Sequence, residues 1–352
     1  MAAIRETILR AGLEALYVTG GHVWLRPLVG GVGVILTLHH VRPARADAFQ
    51  PNRLLEVTPR FLEAAIRRVR LGGLEPVSLD EMHRRLVERD FRRRFVCFTF
   101  DDGYRDNLRF AYPILKQHNV PFAVYVPTSF PDRFGELWWL TLEAVIARVD
   151  RIGIVIDGRD RRIDCRTVEE KRDAYEAIYW WLRSLATEEE MRVAVRDLAR
   201  RYGVDGAAFC QDLCMTWPEL SQLAADPLVT IGAHTVNHVR LAKVTADAAR
   251  REMQMGASVI EAALGRRPRH LSYPIGDSAS AGPREFAIAR ELGFATAVTT
   301  RAGVLFPEHC VHALALPRIS LNGEYQQPRY VRVLLSGAAT AMWNGFRRVD
   351  AA

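Results

Sequence analysis

Two pairs of side chains have the types and spacing to do chemistry: Asp101 with Asp102, and His234 with His238. Three residues separate the histidines, a spacing that puts both imidazoles on one face of a helical turn, within reach of one metal ion. Two imidazoles and one carboxylate make a three-ligand site with positions left for water and substrate, as a catalytic metal requires. The other carboxylate is then free to act as a base. Zinc proteases place a glutamate directly after the first histidine for that purpose; here Thr235 stands there, so the base must come from the aspartate pair. Two adjacent buried aspartates without a cation would be very costly, which argues against a purely structural role.

Such groups need a scaffold that brings them together. Residues 95–100, Phe-Val-Cys-Phe-Thr-Phe, read as a buried parallel strand that delivers Asp101 and Asp102 to its carboxyl end, and Gly103 permits a tight exit. A second strand at 229–233 delivers His234. In sheets buried on both faces, carboxyl ends of strands are where ligands and catalytic groups collect. Further strands are expected at 32–38, 122–126, 270–273 and 295–299, alternating with helices, among them one opened by Thr58-Pro59 and one opened by a Ser78 capping box. This strand–helix alternation calls for parallel strands covered by helices.

The pattern changes between about 131 and 218, where charged helical stretches carry the pairs Trp138-Trp139 and Trp180-Trp181. These aromatics either stack on sugar rings or pack an inserted helical unit onto the main domain, and packing is the stronger reading. A helical segment over 1–30 has apolar positions at Ile8, Leu9, Leu13 and Leu16 and a stop at Gly20-Gly21. The catalytic unit is expected over 31–325, with a tail over 326–352.

The 352 residues are 49% hydrophobic and 25% charged, ordinary for a globular chain with a large core. The net charge of +7 comes almost entirely from arginine and is spread along the chain. With no nucleic-acid module beside it, this excludes nucleic acid as the expected partner. Five cysteines, an odd number, suit a reducing compartment. No apolar leader or spanning run is evident, so a cytoplasmic protein is expected, with peripheral contact to the inner membrane surface through Tyr17, Trp24 and Arg26.

The segments Thr99-Phe100-Asp101-Asp102-Gly103-Tyr104 and His234-Thr235-Val236-Asn237-His238 resemble the first two motifs of the polysaccharide deacetylases, the carbohydrate esterase group with the NodB homology domain. Ser272-Tyr273-Pro274-Ile275-Gly276-Asp277 is similar to the third motif. The resemblance, over about 33–322, implies a distorted (β/α) barrel and hydrolysis of an N-acetyl, occasionally O-acetyl, group from a sugar of an oligo- or polysaccharide. It implies Asp101 as base, and Asp102, His234 and His238 as ligands of a divalent metal, most often zinc, with cobalt or nickel also used. It places the backbone N–H of Ile275 as oxyanion donor and Tyr104, Tyr273 and Pro274 against the substrate.

Two departures stand out. Ser272 replaces the arginine that steadies the catalytic aspartate, and Arg318 stands in place of the general-acid histidine. Arginine is a poor proton donor but a good electrostatic partner, so Arg318 is expected beside Asp101. The acid is then expected at His39 or His312. Hydrolysis of a non-sugar amide, or glycan binding without turnover, are the competing readings.

Overall fold

The computed structural model describes residues 2–156 and 158–351. Seven strands form its centre: β1 (Gly33–Leu38), β2 (Phe95–Phe100), β3 (Phe122–Val126), β4 (Val229–Ala233), β5 (His270–Ser272), β6 (Thr296–Ala302) and β7 (Leu316–Ser320). Each is parallel to the next, and β1 pairs with both β2 and β7, Leu36 lying opposite Phe98 on one side and Ile319 on the other. The sheet is therefore a closed seven-stranded parallel barrel, distorted where the β6–β7 register shifts between Val298 and Ala302. Closure explains the unbroken apolar runs, because β1 and β2 are buried along their whole length. Gly232 is required inside it: a Cβ there would collide with the Tyr125 ring.

Helices cover the barrel and start where the side-chain chemistry dictates. Thr58 Oγ1 accepts the Phe61 N–H at the head of Pro59–Leu71. Ser78 Oγ caps Leu79–Glu88 by accepting the Glu81 N–H, but the Glu81 carboxylate turns to Arg84 and Arg85, so the expected capping box is only half formed. The helix after the aspartates opens with a wide π turn, Asn107–Ala111, before Tyr112–Gln117.

Between β3 and β4 the inserted unit has a core of its own. It contains helices Trp138–Arg148, Val168–Ser184, Glu188–Arg201 and Gly206–Leu213, and an antiparallel hairpin of Arg151–Ile156 with Arg159–Asp164. Trp138 and Trp139 are buried in it, whereas Trp180 is exposed.

The chain ends fold together. Helix Ala2–Val18 lies on Pro328–Leu335, with Leu13 against Tyr330 and Val333, while Ile8, expected on the apolar face, is exposed. Ala338–Trp343 continues the tail. Among the described residues no helix is long and apolar enough to cross a membrane, and all five cysteines are free thiols.

Candidate active site and metal centre

Three loops at the carboxyl ends of β2, β4 and β5 build the site, and each is made by a backbone that turns left-handed. Asp101 still holds the sheet ladder, its N–H donating to the Leu38 carbonyl at 3.0 Å. Asp102 and Gly103 then take φ values of 69° and 61°, sending the two neighbouring carboxylates to different places. His234 ends β4, donating its N–H to the Val126 carbonyl. The loop after it passes through Thr235 (φ 69°) and reaches His238 (φ 54°), pinned by Thr235 Oγ1 accepting the His238 N–H at 3.0 Å and by Glu252 accepting those of Val236 and Asn237. The expected helical turn is corrected: an irregular loop brings the imidazoles together, because Thr235 and His238 take left-handed backbone angles that a right-handed helical turn cannot contain. Four non-glycine residues with positive φ, Asp102, Thr235, His238 and Ile275, lie in these three loops, so backbone strain is concentrated at the site.

The ligand geometry fits a metal. His234 Nδ1–H donates to the Ser272 carbonyl at 2.6 Å, which fixes the tautomer and turns Nε2 inward. Nε2 of His234 and of His238 stand 3.6 and 3.3 Å from Asp102 Oδ1. Ligand atoms around one tetrahedral ion of zinc size are about 3.4 Å apart. Asp102 Oδ1 is buried without a hydrogen-bond partner, which a cation would relieve. Burial, with the Asp101 charge, pushes the Asp102 carboxyl well up, and burial holds both histidines down in the neutral form that binds metal. These three residues are the only such group among those described.

Asp101 has a different partner. Arg318, fully buried on β7, donates to its two oxygens at 2.8 and 2.6 Å, to Thr99 Oγ1 at 3.2 Å and to the Thr299 carbonyl at 2.9 Å. Burial raises the Asp101 carboxyl, but the guanidinium outweighs it and holds the group below the usual carboxylate range. Asp101 is therefore an ionised, oriented acceptor beside the ligand cluster.

The remaining expected residues fall in different places. Ile275 (φ 62°) is fixed by Thr300 Oγ1 donating to its carbonyl at 2.6 Å, and among the described residues nothing accepts its N–H. His39, half-buried at the end of β1, lies in the fields of Asp101, Arg318 and His234; burial lowers it to about 4 against the pull of Asp101. His312 closes the turn Pro307–Val311, which packs on helix Leu79–Glu88 and does not join the cluster. Tyr273 is corrected from a substrate contact to a core residue: it is buried against Phe286 and its hydroxyl donates to the Leu314 carbonyl. Tyr104 has no exposed surface either, being stacked on His40 with ring centroids 3.6 Å apart, and Pro274 is buried.

Some functional neighbours were not read from the sequence. His40 Nδ1 and Asp106 Oδ2 are 2.6 Å apart, a carboxylate-oriented histidine beside the aspartate loop. The adjacency of His39 and His40 at a strand end was the available signal, since neighbours there point opposite ways. The insertion supplies Trp139, 5.2 Å from the His238 ring, and two arginines that hold site loops. Arg192 donates to the Asn237 carbonyl and Arg183 to Asp277, each at 2.7 Å. No local pattern marks these.

The comparisons agree with this geometry. A profile described as polysaccharide deacetylase matches residues 88–157 and 180–297. The fold is similar to that of the Streptococcus pyogenes deacetylase PplD, solved with acetate (TM-score 0.54, 18% identity, 82% of this chain and 92% of that one). It is also similar to IcaB from Ammonifex degensii (0.52, 17%, 86% and 98%) and to a de-N-acetylase from Aggregatibacter actinomycetemcomitans (0.51, 14%, 82% and 94%). Among curated proteins nothing matches. With the profile covering more than half of the chain and the motif residues gathered at one end of a closed barrel, this protein belongs to the polysaccharide deacetylase family.

Proposed function

We propose that the chain is a metal-dependent hydrolase that removes the acetyl group from an N-acetylated sugar of an oligo- or polysaccharide. The observation that carries this reading is an ionised Asp101, held by Arg318, beside a separate three-ligand cluster of Asp102, His234 and His238. Metal binding alone needs only the cluster; a fourth, oriented carboxylate is what turnover needs.

A divalent metal, with zinc first and cobalt or nickel suited to the same donors, supplies when bound an acidified water and polarisation of the amide carbonyl. Asp101 takes the proton of the attacking water on the carboxylate edge that Arg318 leaves free. The Ile275 N–H, rigid in its left-handed turn, donates to the oxygen that gains charge. His39 is the acid for the leaving amine. At about 4 it is neutral at rest, so the proton that Asp101 took from the water passes to His39, which delivers it to the leaving nitrogen as the C–N bond breaks and returns to neutral, leaving Asp101 ionised again.

The test is acetate release from N-acetylglucosamine oligomers by the zinc-reconstituted protein, beside Asp101→Asn and His39→Asn. Release by the native chain, with loss in Asp101→Asn at unchanged metal content, supports the proposal. No release from any acetylated oligosaccharide at full metal loading would move the reading to a non-sugar amide or to glycan binding. If His39→Asn keeps full activity and His40→Asn loses it, the acid is the histidine oriented by Asp106.

A further inference from the structure

The two ends of the chain assemble one surface that the catalytic reading does not use. The short helices Gly21–Trp24 and Arg26–Val29 both touch the tail helix Ala338–Trp343. Where they meet, large apolar side chains point outward: Trp24 is 80% exposed, Leu28 68%, Phe346 59%, Met342 55% and Trp343 54%. Isolated exposed apolar residues are ordinary, but a cluster with two tryptophans drawn from opposite ends of the sequence is not. Behind it lies a cavity of about 200 Å³ that Leu28 and Phe346 line together with Arg347 and Arg348.

The rim is basic. Among the described residues Arg26 and Arg347 meet only backbone carbonyls, those of Gly72 and Asn344, while Arg348 lies over the Phe306 ring and 3.6 Å from Glu308. The acids on these segments are already engaged, Glu14 with Arg329 at 3.0 Å and Asp350 with Arg301 at 3.1 Å. Exposed indole and aliphatic groups flanked by the guanidinium groups of Arg26 and Arg347 match the interfacial zone of an anionic bilayer, where apolar groups enter the acyl boundary and guanidinium groups meet phosphates. A second copy fits less well, because a twofold contact sets the same patch against itself and so brings arginine to arginine.

We infer that this composite patch docks the protein on the surface of an anionic phospholipid membrane. The patch is joined firmly to the barrel. Only Gly30, Gly31 and Val32 separate Arg26–Val29 from β1, and Arg94, just ahead of β2, donates to the carbonyls of Gly30, Gly31 and Leu335. The patch is thus tied to the amino ends of β1 and β2, and through Asn344, which donates to the Ala302 carbonyl, to the last residue of β6.

The experiment is co-sedimentation of the full-length, zinc-loaded protein with phosphatidylcholine vesicles and with vesicles that also contain phosphatidylglycerol, at low and high salt. Binding is expected only to the anionic vesicles, weakened by salt and accompanied by a blue shift of tryptophan emission. Trp24→Ser, and separately Arg347→Ala with Arg348→Ala, should each weaken binding about tenfold or more. Metal content and acetate release from soluble oligomers should not change. Should Trp24→Ser lower the melting temperature, Phe346→Ser replaces it. Equal binding to both vesicle types, no binding, or variants that sediment like the native chain overturns the inference. So does light scattering that shows a dimer which Trp24→Ser converts to monomer, for the patch would then belong to a second copy.

Discussion

Arg318 Nη2 donates to Ser272 Oγ at 3.0 Å while it holds Asp101, so the guanidinium touches the very residue that stands where the family resemblance places an arginine. The charge that steadies Asp101 has been supplied from β7 instead of β5. Removing it leaves a buried carboxylate unpaired, which costs about 3–5 kcal/mol in such pairs. Arg318→Ser should therefore lower both stability and kcat, the latter at least tenfold. Adding Ser272→Arg to it should restore part of both, as read by thermal melting and acetate release; failure of the double variant to exceed Arg318→Ser would show that only the β7 position works.

Metal should stabilise the fold, since Asp102 Oδ1 has no partner without it. At a thousandfold excess over Kd the gain is about 4 kcal/mol. Zinc should raise the melting temperature of the native chain by several degrees and leave His238→Gln almost unmoved; chelation should reverse the rise. An equal rise in both proteins would place the metal elsewhere.

The insertion should matter to the metal although it supplies no ligand. Arg192 reaches the Asn237 carbonyl in the loop between the two histidines and is itself held by Glu136 and Glu188. Losing a partner that orients a ligand commonly costs ten- to a hundredfold in metal affinity. Arg192→Ala is expected to weaken zinc binding by that order in a competition titration with a chromophoric chelator, with Arg192→Lys between the two.

Acid should destabilise the protein earlier than its carboxylates alone would. His309, whose Nδ1 accepts the Phe306 N–H at 3.0 Å, is lowered by burial from 6.5 to about 4, as His39 is. The unfolded chain protonates these groups near 6.5 and the folded chain does not. The stability they contribute is thus fully present above that value and is lost as pH falls towards 4, at about 1.4 kcal/mol per pH unit for each. His309→Asn keeps an acceptor for the Phe306 N–H but cannot titrate. Its melting temperature should fall less between pH 6.5 and 4 than that of the native chain.

The fold and the centre of the site were legible because parallel strands buried on both faces leave unbroken apolar runs, and their carboxyl ends carry Asp101, Asp102 and His234 in plain view. Arg318 was legible only through the family resemblance, which drew attention to an arginine in the place of the motif histidine while the usual arginine partner of Asp101 was missing. Tyr273 was misread because nothing local says which way an aromatic turns after a strand of three residues, and the distant Leu314 carbonyl decided it. Arg183 and Arg192 could not be found, since their partners lie 94 and 45 positions away and any exposed helix carries arginines like them.

The pairing of Leu36 with Ile319 joins the first barrel strand to the last. As the chain leaves the ribosome, the three metal ligands and the insertion emerge well before β7, so every ligand residue precedes the arginine that fixes Asp101. Until then β1 and β6 are open strand edges, the state in which a nascent barrel is most exposed to wrong partners. Completion of the circle and the pairing of ionised Asp101 with Arg318 both wait for β7.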